Sequence, residues 1–229
     1  MKESYNQNKK RRLWLAHDRA ITKVLLSIAL LSTLFLVWVV VVYGSNSFDQ
    51  KVFNLTAPHI TEWRTRFMLF ITFLGNHAFL IPANLLLLFF FVIKKNKLLA
   101  IRLFLISLGG LGIKLLLKNI FHRLRPDDSL IQGGVAGFSF PSGHALMSVG
   151  FYGFLIWLTA HSITNKWLHH GIIAFLALLI LIISFSRIYL RVHYATDVVA
   201  GLCTGFLWLS FCLWVIDKKE AAGSAVQLH

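Results

Sequence analysis

The chain has 229 residues, 57% of them hydrophobic and only 14% charged, with a formal net charge of +14. Soluble domains carry about a quarter charged residues, so this composition excludes an ordinary soluble domain and indicates an integral membrane protein. The positive charge is spread over short loops and helix ends, which favours membrane topology over nucleic acid as its explanation.

The first segment, 1–23, carries Lys2, Lys9, Lys10, Arg11, Arg12, Arg19 and Lys23 against Glu3 and Asp18. Such a segment prefers the cytoplasm and anionic headgroups. Its second half, with Leu13, Trp14 and Leu15, reads as an interfacial helix. The uncharged run 24–43 is longer than a signal-peptide core and no A-x-A site follows, so it reads as a retained signal anchor. Runs at 67–93, 103–113, 143–165, 167–186 and 198–216 bring the total to six. All but the third approach or exceed the ~18–20 residues that cross a bilayer. The third reaches that length only as 98–118, with Arg102 and Lys114 snorkelling near opposite ends. The expected fold is all-α, a six-transmembrane-helix bundle with short interfacial helices. The expected division is a basic segment 1–23, a membrane domain 24–216 and a cytoplasmic tail 217–229, whose patternless end reads in part as an appended remnant.

Between the first two spans, residues 48–66 mix Phe53, Leu55, Ile60 and Trp63 with Asp49, Lys51, Glu62, Arg64 and Arg66. That is the pattern of an amphipathic piece on the membrane surface, broken at Pro58. In the second span Pro82 is expected to kink the helix, and His77 reads as a packing histidine bonded to a backbone carbonyl. Gly109-Gly110-Leu111-Gly112 would allow close helix packing. Cys203 and Cys212, nine apart in the last span, read as reduced thiols.

Orientation follows from the loops. With both termini inside, Lys and Arg number 14 on the inner side against eight outside. Both termini are therefore expected in the cytoplasm, and loops 119–141 and 187–191 on the extracytoplasmic side.

On that outer side three clusters meet: Lys118 followed after six residues by Arg125-Pro126; Pro141-Ser142-Gly143-His144; and Ser186-Arg187, five residues, His193, three residues, Asp197. The chemistry reads as phosphoryl transfer. Lys118, Arg125 and Arg187 can hold a phosphate's oxygens, with the backbone amides of Ser142 and Gly143 and the Ser142 hydroxyl completing the cradle at a helix start. His193 and Asp197, four apart, would share one helical face, so that the carboxylate fixes the tautomer of a nucleophilic imidazole. A carboxylate in a membrane helix costs about 2.5–3.5 kcal/mol at mid-depth, which argues for such a partner. His144 would protonate the leaving alkoxide and then activate water. Asp127 and Asp128 make a poor metal site and read as solvated loop charge partnering Arg123; no metal and no cofactor are expected.

These three clusters, in order and spacing, resemble the signature motifs of the type 2 phosphatidic acid phosphatase family, and the six-helix plan extends the likeness over nearly the whole chain. Within the family the chain is similar to the small bacterial, phosphatidylglycerophosphatase B-like membrane members. The resemblance implies a metal-independent lipid phosphatase with a phosphohistidine on His193, supported by Asp197, with His144 as acid and base. It implies phosphate binding by Lys118, Arg125, Ser142, Gly143 and Arg187. The substrates implied are phosphatidylglycerol phosphate first, then phosphatidic acid or undecaprenyl pyrophosphate, drawn from the bilayer, with no nucleic acid partner. Other readings are a lipid phosphotransferase and a non-catalytic phospholipid-binding protein.

Overall fold

The computed structural model describes residues 2–44 and 47–226, with side chains described for 23–44 and 47–217. Among the described residues there is no strand. Helix α1 (Lys2–Tyr43) is continuous, so the basic segment and the first span form one rod. The proposed headgroup contacts of Leu13, Trp14 and Leu15 lie outside the described side chains.

The surface piece 48–66 is not one unit. Helix α2 (Ser47–Thr56) runs into a 3-10 turn (Ala57–His59) that holds Pro58. Thr61 then caps a new helix, its side chain accepting from the Arg64 amide, and α3 (Glu62–Phe73) begins the second crossing five residues earlier than the apolar run suggests. That crossing breaks not at Pro82 but at Leu74-Gly75-Asn76, after which Asn76 caps α4 (His77–Ile93) by accepting from the Ala78 amide at 3.0 Å. A Cβ on Gly75 would lie 2.5 Å from Ile183 Cγ2 and 3.2 Å from His144 Cδ2, so the break is a place of close approach. Pro82 sits inside α4, which continues through it.

The remaining helices are α5 (Lys97–Phe121), α6 (Gly143–Ser162), α7 (Lys166–Tyr189) and α8 (Ala195–Val226). Among the described residues six spans are long and apolar enough to cross a membrane, α3 and α4 together forming one of 32 residues. This is a multi-pass membrane protein. Helix α6 is the central one: 56% of its span is buried, against 11% for that of α1, and it packs on α5, α7 and α8. Small residues permit the approach. A Cβ on Gly201 would stand 2.6 Å from the Ser142 carbonyl oxygen, and one on Gly205 2.8 Å from that of Leu146. Gly109 lies against the Trp208 ring and Gly110 near Leu146, as the small-residue run predicts, whereas Gly112 faces open space. Large apolar side chains such as Leu31, Phe70, Leu86 and Phe175 point outward, as lipid-facing residues must.

Two helix boundaries and one side chain differ from the sequence reading in ways that matter. Helix α7 continues past Ser186 to Tyr189, so Arg187 stands in its last turn. Helix α8 starts at Ala195 rather than near Val192, so His193 precedes the helix and shares no helical face with Asp197. Arg102 does not snorkel: its guanidinium is buried, bonded to Asp217 Oδ1 at 2.5 Å and 4.5 Å over the Trp157 ring. Both thiols, Cys203 and Cys212, are free.

Candidate active site

Because the spans alternate, the end of α5, the start of α6, the end of α7 and the start of α8 meet at one end of the bundle. The loop after α5 is fastened there by its own cations. Lys118 Nζ donates to the Phe138 carbonyl, Arg125 Nε to that of Gly137 at 2.9 Å, and Arg125 Nη1 to that of Val192 at 2.6 Å. The Ser139 amide donates to the Arg123 carbonyl at 2.7 Å, which brings Ser139 inward.

Arg123 organises the layer below. Its side chain is only 5% exposed and bridges two fully buried carboxylates, Asp49 Oδ2 at 2.8 Å and Asp197 Oδ1 at 2.5 Å. Its plane lies over Tyr194, 4.1 Å from the ring centre. Buried ions persist only when their remaining valences are satisfied, and here they are well supplied. Asp49 accepts from the Thr196 amide at 3.0 Å and hydroxyl at 2.9 Å. Asp197 Oδ2 accepts from the Ser139 hydroxyl and from the Tyr194 amide at 2.9 Å. Thus Arg123 does not partner the solvated loop carboxylates; Asp128 pairs instead with Arg191.

The same Ser139 oxygen lies 3.3 Å from His193 Nδ1, while the direct His193–Asp197 separation is 3.5 Å. The carboxylate therefore reaches the imidazole chiefly through a hydroxyl. Ser139 gives its proton to Asp197, so its lone pair takes the Nδ1 proton, and Nε2 is left as the unprotonated nitrogen. Burial pushes the His193 pKa down to about 3, so the ring is neutral at physiological pH. Its Nε2 stands 3.2 Å from Arg125 Nη1, and burial lowers the Arg125 pKa from its ordinary value.

These groups face a cavity of about 520 Å³. One end is lined by Lys114, Lys118, Arg125, His144, Arg187 and His193; the other runs between α4 and α5 past Leu80, Ile81, Leu85, Phe104 and Leu108. Arg187 Nη1 donates to Thr72 Oγ1 at 2.6 Å. His144 Nε2 is buried without a partner among the described residues. At Gly143 a Cβ would stand 2.8 Å from Lys114 Cδ, so the residue that opens α6 has to be small.

Of the residues expected from sequence, Lys118, Arg125, Gly143, His144, Arg187 and His193 share this wall, while Ser142 and Asp197 lie behind it. Ser142 occupies the N-cap position, but its side chain makes no cap bond. Its amide donates to the Asp197 carbonyl at 2.9 Å, which removes that N–H from a phosphate cradle. His77 is exposed at the start of α4 and lines the cavity, rather than packing inside a helix. Sequence reasoning passed over Ser139, Arg123, Asp49, Thr196 and Lys114. Ser139 lay inside the stretch already singled out, between two phenylalanines, which was a usable signal. Asp49, seventy-four residues from Arg123, carried none.

A neutral imidazole amid four cations, at the head of an apolar groove in a membrane bundle, defines the class: a membrane-embedded phosphatase. The family model of the PAP2 superfamily matches residues 98–221, and the chain belongs to that superfamily. It is 28% identical over 177 residues to phosphatidylglycerophosphatase B of Bacillus subtilis, covering 76% of this chain and 85% of the relative. It is 29% identical over 171 residues to an undecaprenyl-diphosphatase of Sulfolobus acidocaldarius, covering 72% of this chain and 76% of the relative. The crystal structure of a transmembrane PAP2-type phosphatidylglycerolphosphate phosphatase from Bacillus subtilis superposes with a TM-score of 0.72 at 23% identity, over 84% of this chain and 96% of that one. LpxE of Aquifex aeolicus gives 0.61 at 24% identity, over 75% and 98%.

Proposed function

We propose that this enzyme removes the terminal phosphate from membrane lipid phosphates without a metal, through a phosphohistidine on His193. The observation that carries the reading is the position of His193 Nε2, in the wall where the cation cluster meets the apolar groove. A lipid lying in the groove would present its phosphate to that nitrogen. Lys118, Arg125 and Arg187 would take the equatorial oxygens, Arg125 turning its N–H from Nε2 to the phosphate. Nε2 attacks phosphorus as the phosphorus–oxygen bond to the lipid breaks, and His144 supplies a proton to the leaving oxygen. Water, deprotonated by His144, then cleaves the nitrogen–phosphorus bond and releases inorganic phosphate. Asp197 would hold His193 through Ser139, while the Gly143 amide at the start of α6 would complete the phosphate cradle.

Phosphatidylglycerol phosphate is the substrate this reading puts first, supported by the similarity to the Bacillus subtilis relative; phosphatidic acid is a further candidate. Undecaprenyl pyrophosphate as the main substrate is the second reading, favoured by the Sulfolobus relative. The excess of Lys and Arg in the opposite loops supports an extracytoplasmic site and cytoplasmic termini. The domain reading is one phosphatase unit over 24–216, with 1–23 and 217–229 as cytoplasmic extensions.

The test is phosphate release from these three lipids in excess EDTA, beside His193→Ala. Release that survives EDTA, ranks the lipids and vanishes in the variant is expected. Release that stops in EDTA, or persists in the variant, contradicts the mechanism; phosphate appearing on an added acceptor lipid would make the enzyme a transferase.

A further inference from the structure

The cavity carries more positive charge than one phosphate can answer. Lys114, Lys118, Arg125 and Arg187 all line it, and among the described residues no carboxylate does. The nearby Asp197 lies behind the wall, already bonded to Arg123 and Ser139. A phosphate monoester brings at most two negative charges, so a single-phosphate lipid leaves about half of these cations unanswered in a low-dielectric site, where that is costly. The phosphatase reading assigns three of the four, Lys118, Arg125 and Arg187, to the reacting phosphate. The fourth, Lys114, has no role in that reading. It lies one helical turn from Lys118 on α5, about 6 Å along the axis, on the side toward Leu111, Leu108 and Phe104, which line the groove. Its stem packs against the face that Gly143 leaves open, Cδ standing 2.8 Å from where a Cβ would be. This contact fixes the lysine stem at the start of α6, in the lining of the same cavity.

We propose that Lys114 is a specificity-determining residue that binds a second phosphoryl group of the substrate, one link nearer the lipid than the phosphate being removed. It selects lipids with two phosphoryl groups over lipids with one. The shared chemistry is a phosphate diester anion on the lipid side of the scissile bond. In phosphatidylglycerol phosphate that anion is separated from the terminal phosphate by one glycerol; in a polyprenyl diphosphate it is joined to it by one oxygen. Both separations fall within reach of a lysine one turn below Lys118. The proposal rests on the phosphatase reading above, and turnover of any one lipid by the wild type tests that reading separately.

The experiment measures kcat/KM in wild type, Lys114→Met and Lys114→Arg on three lipids in mixed micelles: phosphatidylglycerol phosphate, undecaprenyl diphosphate and phosphatidic acid. Methionine keeps the apolar stem against Gly143 and removes the charge. The expected result is a loss of about tenfold or more on at least one two-phosphate lipid, chiefly in KM, and at most about threefold on phosphatidic acid, with arginine restoring most of the difference. A loss confined to phosphatidylglycerol phosphate identifies the glycerol-linked diester as the group read, and one confined to undecaprenyl diphosphate identifies the diphosphate. Equal losses on all three lipids, or none, overturn the proposal. A second measurement does not depend on any variant folding: inorganic pyrophosphate should inhibit the wild type more strongly than orthophosphate, and equal inhibition by the two anions overturns the proposal as well.

Discussion

His193 is buried as a neutral ring, and this has a signed consequence for acid stability. An unfolded imidazole binds its proton near 6.5, whereas in the fold protonation waits until about 3. Between those values the unfolded chain holds the extra proton, so stability falls as pH drops from 6.5 toward 3. Thermal unfolding in detergent should show a smaller acid-side loss in His193→Gln than in wild type; identical pH slopes would contradict the burial of a neutral ring. The same low value removes the acid limb that an ordinary histidine nucleophile would give to kcat/KM near pH 6.5; such a limb in the measured profile would contradict it. Ser139→Ala should lower kcat with little change in KM, because Asp197 would then meet His193 only across 3.5 Å; unchanged kcat would show that the hydroxyl has no part in orienting the ring. At this scale the sequence was informative about groups that face the cavity, because their types and spacing are chemical. It was silent on the layer behind them. Asp197 and His193 are four apart, yet the link between them runs through Ser139, and no helical periodicity could reveal a contact made by a loop.

Helix boundaries decide how that layer is held. α2 contributes Asp49 to a buried chain of charges that continues through Arg123 to Asp197, so a short helix beyond the first span is tied to the layer behind the cavity wall. Arg123→Met should be strongly destabilising, by about 3–5 kcal/mol, because it leaves two buried carboxylates without their cation; an unchanged unfolding midpoint in detergent would show that the bridge is dispensable. The α6–α8 contact makes a second prediction. Gly201→Ala sets a methyl group 2.6 Å from the Ser142 carbonyl, a backbone atom at the start of α6 that has no rotamer to change. It should cost about 1–3 kcal/mol and reduce turnover by displacing that helix start; wild-type values for both would contradict the closeness of the packing. The spans themselves were legible because long uncharged runs have few other uses. Their interruptions were not. Pro82, the obvious breaker, lies within a continuous α4, while the break falls at Gly75-Asn76, where the reason is tertiary: Ile183 and His144 stand against the glycine. Arg102 likewise looked like a snorkelling cation until Asp217 and Trp157, both distant in sequence, came beside it.

For the whole molecule, an even number of crossings puts both ends of the membrane domain at one end of the bundle and the cation-lined wall of the cavity at the other. The six long uncharged runs were enough to read that plan from the sequence, since their alternation places all three motifs at one end. What the plan could not contain was the groove between α4 and α5, which exists only once the helices are packed. The central claim, that this groove delivers a lipid phosphate to a histidine, is tested most directly by trapping the intermediate. Wild type and His193→Ala would be mixed with lipid carrying a labelled terminal phosphate, quenched within one turnover, and mapped for bound label. Acid-labile, alkali-stable label is expected on His193 in the wild type and none in the variant. Label on another residue, or turnover with no covalent phosphate trapped at any quench time, would contradict it.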